Sequence, residues 1–144
     1  MRRMETIFST CSTVAALGWL LLVLAPRWRF TQPVAAAAIP LAIAVVYLVL
    51  IARYMPGARG GFGSLAEVAT LFATPGLLLA GWIHYLAFDL FIGSWEVRDA
   101  ARHRVPHLLV IPCLILTFLL GPIGLLCYFG LRTWKAGTPV PDTV

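Results

Sequence analysis

The chain has 144 residues, of which 60% are hydrophobic and only 12% are charged. A soluble domain of this size cannot bury so much apolar surface, and apolar runs of about 20 residues indicate membrane spans. The runs are continuous and do not alternate with polar residues, which excludes a spanning β-barrel. The net charge of +5 comes from eleven Arg and Lys residues, nearly all at the ends of apolar runs. They predict anchoring at lipid headgroups, and no clustered basic face points to nucleic acid.

We therefore predict an all-α membrane protein. It is a four-helix transmembrane bundle forming a single domain over residues 1–144, with a short interfacial helix before the third span. The spans are expected at about 6–25, 34–52, 75–95 and 107–131, and the interfacial helix at about 64–73. Ser64 and Glu67 form a capping-box pattern at the start of the interfacial helix. Pro40, Pro112 and the pair Gly121-Pro122 are expected to bend the spans that contain them.

The two ends of the first span bear on its processing and orientation. "MRRME" could begin a signal peptide, but the run is near spanning length and "PRWRF" follows it as an interface anchor, so we expect a retained helix. Four spans place both chain ends on one side, with six Arg and Lys residues there and five on the other. That difference does not orient the protein by the positive-inside rule.

The third span carries an unusual concentration of polar groups. "GWIHYLAFDLFIGSWEVRDAAR", residues 81–102, holds three of the six acidic residues, Asp89, Glu96 and Asp99. At 100° per residue, Asp89, Glu96, Tyr85 and Trp82 share one stripe, whereas His84 lies about 140° from Asp89. A charged side chain deep in a bilayer is costly, normally faces the bundle interior and marks function. Asp89 and His84 are thus the leading candidates, and a cavity shared by both must wrap around this helix or be completed by the fourth span.

Each candidate has a structural alternative. His84 could be a satisfied core histidine, and Asp89 could form an ion pair within the bundle. The charged residues from Glu96 to Arg104 lie where the helix leaves the hydrocarbon, so a solvated helix end is the default for them. Trp and Tyr residues suit the interface belt. The three cysteines are scattered in apolar runs, which favours small buried hydrophobes over metal ligands.

The end of the third span has a spacing of acidic and histidine residues that resembles a metal site. Glu96, Asp99, His103 and His107 follow at i, i+3, i+7 and i+11, a spacing that resembles metal-ligand sets. Pro106 breaks the helix between the two histidines. The set also extends over roughly 16 Å at the helical rise, too far to close around one ion. We therefore predict no metal and no cofactor.

The order of motifs from residue 82 onward resembles the neoxanthin-synthase-like membrane family, also known after the plant abscisic-acid-deficiency-four protein. The resemblance rests on the His-Tyr-Leu-Ala-x-Asp-Leu-Phe-x-Gly run that begins at His84, the Asp-x-x-Arg at Asp99, and the Gly-Pro-x-Gly at Gly121. It implies a membrane protein that acts on a carotenoid or another long isoprenoid lipid. In plant members the associated conversion is violaxanthin to neoxanthin, an isomerisation that opens an epoxide. The short chain, without an obvious plastid transit extension, suits a bacterial-type member in an inner membrane.

We predict a cofactor-independent isomerase that uses acid–base chemistry, with epoxide opening or double-bond rearrangement as the reaction. The candidate catalytic residues are Asp89 as the acid, His84 as partner base or hydrogen-bond donor, and Glu96 and Asp99 at the cavity mouth. The candidate substrate-binding residues are Trp82, Tyr85, Trp95, Arg98 and Arg102. The rival prediction is a non-catalytic carotenoid- or lipid-binding membrane partner of another enzyme. A transporter is disfavoured because the sequence has no internal repeat and no second charged span. Small-residue patterns also allow a homo-oligomer.

Overall fold

The computed structural model describes residues 2–137, and within that range the chain forms helices and no strands. In chain order the helices are α1 Arg2–Leu24, α2 Pro33–Tyr54, α3 Leu65–Phe72, α4 Pro75–Arg102, α5 His107–Leu120 and α6 Pro122–Ala136. Of these, α1, α2 and α4 are long and apolar enough to cross a membrane. The all-α class is confirmed, whereas a fourth span is not.

The short helix expected before the third span is α3. It begins where the capping box predicts, because the Oγ of Ser64 accepts a hydrogen bond from the backbone N–H of Glu67 at 3.2 Å. The Glu67 carboxylate in turn accepts from the backbone N–H of Gly63 at 3.0 Å. In α2, the first turns at Pro33–Ala38 are π-helical, so the wider winding occurs directly before Pro40, where the sequence predicts a bend.

The central helix is α4, which packs against α1, α2 and α5. Two apolar clusters surround it. One joins the first half of α4 to α1 and α2 and includes Ala15, Ile43 and Ile83. The other joins the second half of α4 to α5 and α6 and also to α1 and α2, and includes Trp19, Leu90 and Leu114. The last two helices therefore pack mainly on the second half of α4.

The residues predicted as the fourth span do not form one helix. Gly121, which follows α5, has a φ of +47°, and Pro122 starts α6. The left-handed backbone at Gly121 cannot continue an α-helix, and Pro122 has no N–H to donate to the preceding turn. The backbone of Gly124 then lies so close to Thr117 that a Cβ at Gly124 would overlap the Thr117 backbone nitrogen. The sequence predicts a bend here, but the chain reverses.

The reversal brings the end of α6 back beside the end of α4. Tyr128 and Arg132 of α6 both contact Asp99, three residues before α4 ends. We call α5 and α6 the α5–α6 hairpin, with its tip at Gly121. Because α1 runs parallel to α4, with Ser12 beside Trp82 and Val23 beside His107, the start of α1 and the end of α6 lie at opposite ends of the bundle. Four spans would have placed both chain ends on one side.

Candidate functional site

Asp89 lies in the middle of α4, beside the tip of the α5–α6 hairpin. Its side chain packs against Gly121, where an added Cβ would be 3.1 Å from the Asp89 Oδ2. That oxygen is buried and has no hydrogen-bond partner among the described residues. Since Gly121 is also the residue before α6, the carboxylate lies at a helix N-terminus, where the helix dipole favours negative charge.

Tyr85 precedes Asp89 by one helical turn and connects it to α5. The Tyr85 hydroxyl donates a 2.6 Å hydrogen bond to the backbone carbonyl of Phe118. The same hydroxyl lies beside the Asp89 carboxyl. Tyr85 therefore fixes the last turn of α5 against α4 and places a second polar oxygen next to Asp89.

An aromatic cavity lies along the first half of α4 and includes Tyr85, one helical turn before Asp89. It has a volume of about 530 Å³ and is lined by Phe8, Phe72, Leu78, Gly81, Trp82 and Tyr85, which we call the aromatic groove. The Trp82 ring lies 5.4 Å from Phe8 and 5.3 Å from Tyr85, between ring centroids. Its indole N–H donates to the Oγ of Ser12 at 3.1 Å, which fixes the ring. The groove is thus largely apolar, and its Tyr85 hydroxyl lies next to the Asp89 carboxyl.

Glu96 lies two turns after Asp89 and is fully buried under α5. Its Oε1 accepts a hydrogen bond from the Oγ1 of Thr117 at 2.9 Å, while Oε2 is buried without a hydrogen-bond partner among the described residues. The solvated helix end considered for Glu96 is wrong, since none of its surface is exposed. Glu96 does not line the aromatic groove.

Asp99 is the centre of a buried polar network. Its Oδ2 accepts from the Tyr128 hydroxyl at 2.6 Å and from the Arg132 Nε at 2.7 Å. The Nδ1 of His103 donates to the Asp99 carbonyl at 2.9 Å, and its Nε2 accepts from the Nη2 of Arg132 at 3.0 Å. We call Asp99, His103, Tyr128 and Arg132 the Asp99 cluster. It joins α6 to α4, so the solvated end considered for Asp99 is wrong as well.

The remaining sequence candidates lie elsewhere. His84 is exposed on the side of α4 that faces α2 and α3, where its ring stacks on Phe88 at 4.5 Å and lies 5.9 Å from Tyr47. The hairpin does not bring His84 to Asp89. Trp95 packs on Tyr128 of α6, with ring centroids 5.5 Å apart. Arg98 and Arg102 line a separate cavity at the end of α4.

Of the residues with metal-ligand spacing, Asp99 and His103 lie together in the Asp99 cluster, whereas Glu96 and His107 bond to other partners. His107 donates from its Nε2 to the backbone carbonyl of Val23 at 3.0 Å, whereas His103 bonds to Arg132. Across residues 2–137, no group of three or more His, Cys, Asp or Glu side chains could hold a metal ion.

Sequence reasoning missed Thr117, Tyr128 and Arg132. Arg132 reads as an anchor at the end of a span, and only the reversal at Gly121 brings it to Asp99. A signal was present: Tyr128 and Arg132 are four residues apart, so they share one helical face within an apolar run. Two polar groups on one face of such a run indicate a buried polar partner on a neighbouring helix.

Comparison with known proteins gives one family. The ABA4-like (ABA DEFICIENT 4-like) family model matches residues 6–128. The protein named "Protein ABA DEFICIENT 4, chloroplastic", from Arabidopsis thaliana, is 24% identical over 134 residues, covering 87% of this chain. The chain spans 60% of the length of that relative. No solved structure matches.

The comparison also bears on location. A chloroplastic relative gives no support to a bacterial inner membrane, whereas association with a membrane follows from the three long apolar helices. The family match covers most of the chain and includes α4 together with the tip of the α5–α6 hairpin. The chain belongs to the ABA4-like family.

Proposed function

We propose that this protein is a membrane-embedded, cofactor-independent isomerase of a carotenoid or related isoprenoid lipid, with Asp89 as the proton donor. The observation that carries the proposal is that the aromatic groove includes Tyr85, whose hydroxyl lies beside the buried carboxyl of Asp89, one helical turn further along α4. Family membership supports the substrate class, because the resemblance to neoxanthin-synthase-like proteins implies a carotenoid. Buried ionisable groups in membrane helices normally mark function.

The depth of Asp89 suits a long apolar substrate with a polar end. Asp89 is roughly 20 Å from each end of the 28-residue α4, at about 1.5 Å of rise per residue. In a spanning helix this is close to the bilayer midplane. A polyene chain can lie against the rings of Phe8, Phe72 and Trp82, while an oxygen on its end group reaches Asp89. The apolar wall contributes affinity and the two polar oxygens orient the end group.

The α5–α6 hairpin replaces a fourth span in this proposal. With 14 and 15 residues, its helices extend about 21–23 Å, less than the roughly 30 Å of a hydrocarbon core. We propose that the hairpin enters the bilayer from the end of α4 and turns near mid-depth. The turn has backbone partners of its own, from Gly121 N–H to Thr117 and from Leu125 N–H to Gly121. Such internal bonding is what irregular backbone needs at membrane depth.

A single carboxyl group can complete the reaction. Asp89 enters the step protonated and gives its proton to an epoxide oxygen of the substrate, so that the carbon–oxygen bond breaks. The helix N-terminus at Gly121 stabilises the carboxylate that this step leaves. The resulting Asp89 carboxylate removes a proton from a neighbouring carbon, so a new carbon–carbon π bond forms and the acid is restored. No atom or electron enters or leaves, which is the balance of an isomerisation. The Tyr85 hydroxyl, whose proton is bonded to the Phe118 carbonyl, accepts a hydrogen bond from a hydroxyl on the substrate end group.

The test is conversion in a carotenoid-producing host that expresses the protein. Asp89→Asn keeps the size of the side chain but removes the proton donor, so we expect the altered pigment pattern to disappear. His84→Ala is the matched control, since His84 lies on the same helix but faces α2 and α3. If the folded Asp89→Asn protein converts pigment as fast as the parent, the isomerase proposal fails.

A non-catalytic binding role is the second candidate, and one observation favours it. Among the described residues, none that lines the aromatic groove is a His, Asp, Glu, Lys or Arg that could act as a second acid–base group, since His84 faces α2 and α3 and Glu96 is covered by α5. In that role Asp89 and Tyr85 would hold a hydroxyl or keto end group for another enzyme. Pigment that co-purifies with the parent protein in unchanged form, and is lost from Asp89→Asn, supports binding. A changed isomer pattern supports catalysis.

A further inference from the structure

A second cavity lies at the C-terminal end of α4 and shares no lining residue with the aromatic groove. Its volume is about 600 Å³, within the range typical of ligand sites. It is formed by the connection between α1 and α2, the last turns of α4 and the connection between α4 and α5. The polar side chains that line it are Arg27, Gln32, Arg98, Arg102, Arg104 and His107, and we call it the arginine cavity.

The charge of this cavity is uncompensated by the described part of the chain. Four guanidinium groups line it, and no Asp or Glu does. Arg98 and Arg102 are one helical turn apart and close enough to repel each other. The neighbouring acid, Asp99, is buried on another side of α4 and is bonded to Tyr128 and Arg132. The arginine cavity therefore gathers like charges without a carboxylate partner in residues 2–137.

The side-chain amide of Gln32 indicates which kind of group the arginine cavity would bind. Its Oε1 accepts a 2.8 Å hydrogen bond from the Nη1 of Arg98, which orients the amide. Its Nε2 is buried and has no hydrogen-bond partner among the described residues. An amide nitrogen can only donate, so the group that completes this site must accept hydrogen bonds. Gln32 and Pro106 are also the residues before α2 and α5, and two helix N-termini favour an anion.

Arg104 lines the arginine cavity although its backbone conformation is one that favours glycine. It has a φ of +57°, a conformation that favours glycine, and is the one non-glycine residue with positive φ among the described residues. The turn is closed by a 2.9 Å hydrogen bond from Val105 N–H to the Ala100 carbonyl, as in a helix C-cap where glycine is common. An arginine at a position that favours glycine indicates that its side chain has a function.

We propose that the arginine cavity binds a phosphate group, carried either by an anionic phospholipid headgroup or by a soluble phosphate compound. Guanidinium groups pair with phosphate oxygens through two parallel hydrogen bonds, and the Gln32 amide supplies a further donor. The cavity lies at the end of a spanning helix, where headgroups are found. Arginines that merely anchor a helix at an interface need neither a cavity nor an oriented amide between them.

The test compares the parent protein with Arg98→Gln and a matched control, Arg29→Gln. Arg29 belongs to the same connection between α1 and α2, but its guanidinium lies over the Phe30 ring and outside the cavity. One probe is phosphatidylglycerol against phosphatidylcholine, measured as lipid retained by the purified protein in native mass spectrometry. The other is inorganic pyrophosphate added to detergent-solubilised protein, measured as a shift in Tm.

We expect Arg98→Gln to weaken binding about tenfold or more, as for the loss of a hydrogen bond to a charged group. Arg29→Gln should change it less than about twofold, as for an exposed charge. Arg104→Gly is a second variant that relaxes the backbone and so keeps the fold, and it should also weaken binding. Selective retention of phosphatidylglycerol supports a lipid headgroup, and a pyrophosphate-dependent Tm shift supports a soluble phosphate. The proposal is overturned if neither probe separates the parent from these two variants, or if Arg29→Gln loses as much.

Discussion

The Asp99 cluster gives the sharpest prediction about what holds the α5–α6 hairpin on α4. Arg132 is fully buried, and its Nε lies 2.7 Å from the Asp99 Oδ2. Replacing it by methionine keeps much of the side-chain volume but leaves a buried carboxylate with the Tyr128 hydroxyl and without its cation. Removing one partner of a buried ion pair costs about 3–5 kcal/mol, which is roughly a hundred- to several-thousandfold in the folding equilibrium.

A double-mutant cycle separates the pair from its surroundings. Asp99→Leu alone leaves the Arg132 charge buried, so it should cost a similar amount. The double variant Asp99→Leu/Arg132→Met removes both charges and should cost much less than the sum, because buried pairs can be replaced by apolar side chains at little cost. Tyr128→Phe removes one hydrogen bond to a charged group and should cost less, about 1.5–3 kcal/mol.

The assay is equilibrium unfolding in mixed detergent and SDS micelles, followed by tryptophan fluorescence. Arg29→Met is the control, because this arginine is exposed, and its free energy of unfolding should stay within about 0.5 kcal/mol of the parent. The reasoning is refuted if Arg132→Met costs less than about 1 kcal/mol, or if the double variant costs as much as the two single variants together.

Three further predictions concern the hairpin tip, its topology and the groove. Gly121→Ala should destabilise the protein by about 1–2 kcal/mol, because the φ of Gly121 is +47°. Gly130→Ala should instead stabilise the protein, because Gly130 lies in a helix interior with open space around it. Equal effects of the two variants on Tm would contradict this. Single cysteines at positions 3 and 135 should react with a membrane-impermeant thiol reagent from opposite sides of the membrane. Reaction of both cysteines from the same side would indicate four spans instead. Trp82→Ala should release co-purifying pigment, seen as lost visible absorbance, and full retention would argue against the aromatic groove.

The sequence predicts α4 and its polar face well, and the reason is local geometry. Helical periodicity places Trp82, Tyr85 and Asp89 on one stripe and His84 well away from it. In the structure Trp82 and Tyr85 line one groove, the Tyr85 hydroxyl lies beside Asp89, and His84 lines another cavity. The same periodicity puts Glu96 on the stripe but cannot show that α5 covers it. Burial depends on which helices pack against α4, and the sequence of α4 alone does not show this.

The α5–α6 hairpin could not be read from hydropathy, because residues 107–131 are continuously apolar whether they cross the bilayer or return. A Gly-Pro pair suits a kink as well as a reversal. What decides between them is the contact of Gly124 with Thr117 and the bonds from Tyr128 and Arg132 to Asp99, all of which are tertiary. A full span would also leave the buried Arg132 far from any carboxylate of α4.

The central claim is that Asp89 handles a proton of an isoprenoid lipid at mid-depth in the membrane. The most direct measurement is the rate of pigment conversion by purified Asp89→Asn protein, beside the parent and His84→Ala. The account predicts a loss of about 10²–10⁴-fold for Asp89→Asn, the usual contribution of a general acid or base, with the parent rate kept in His84→Ala. Conversion by folded Asp89→Asn protein at the parent rate would contradict the account.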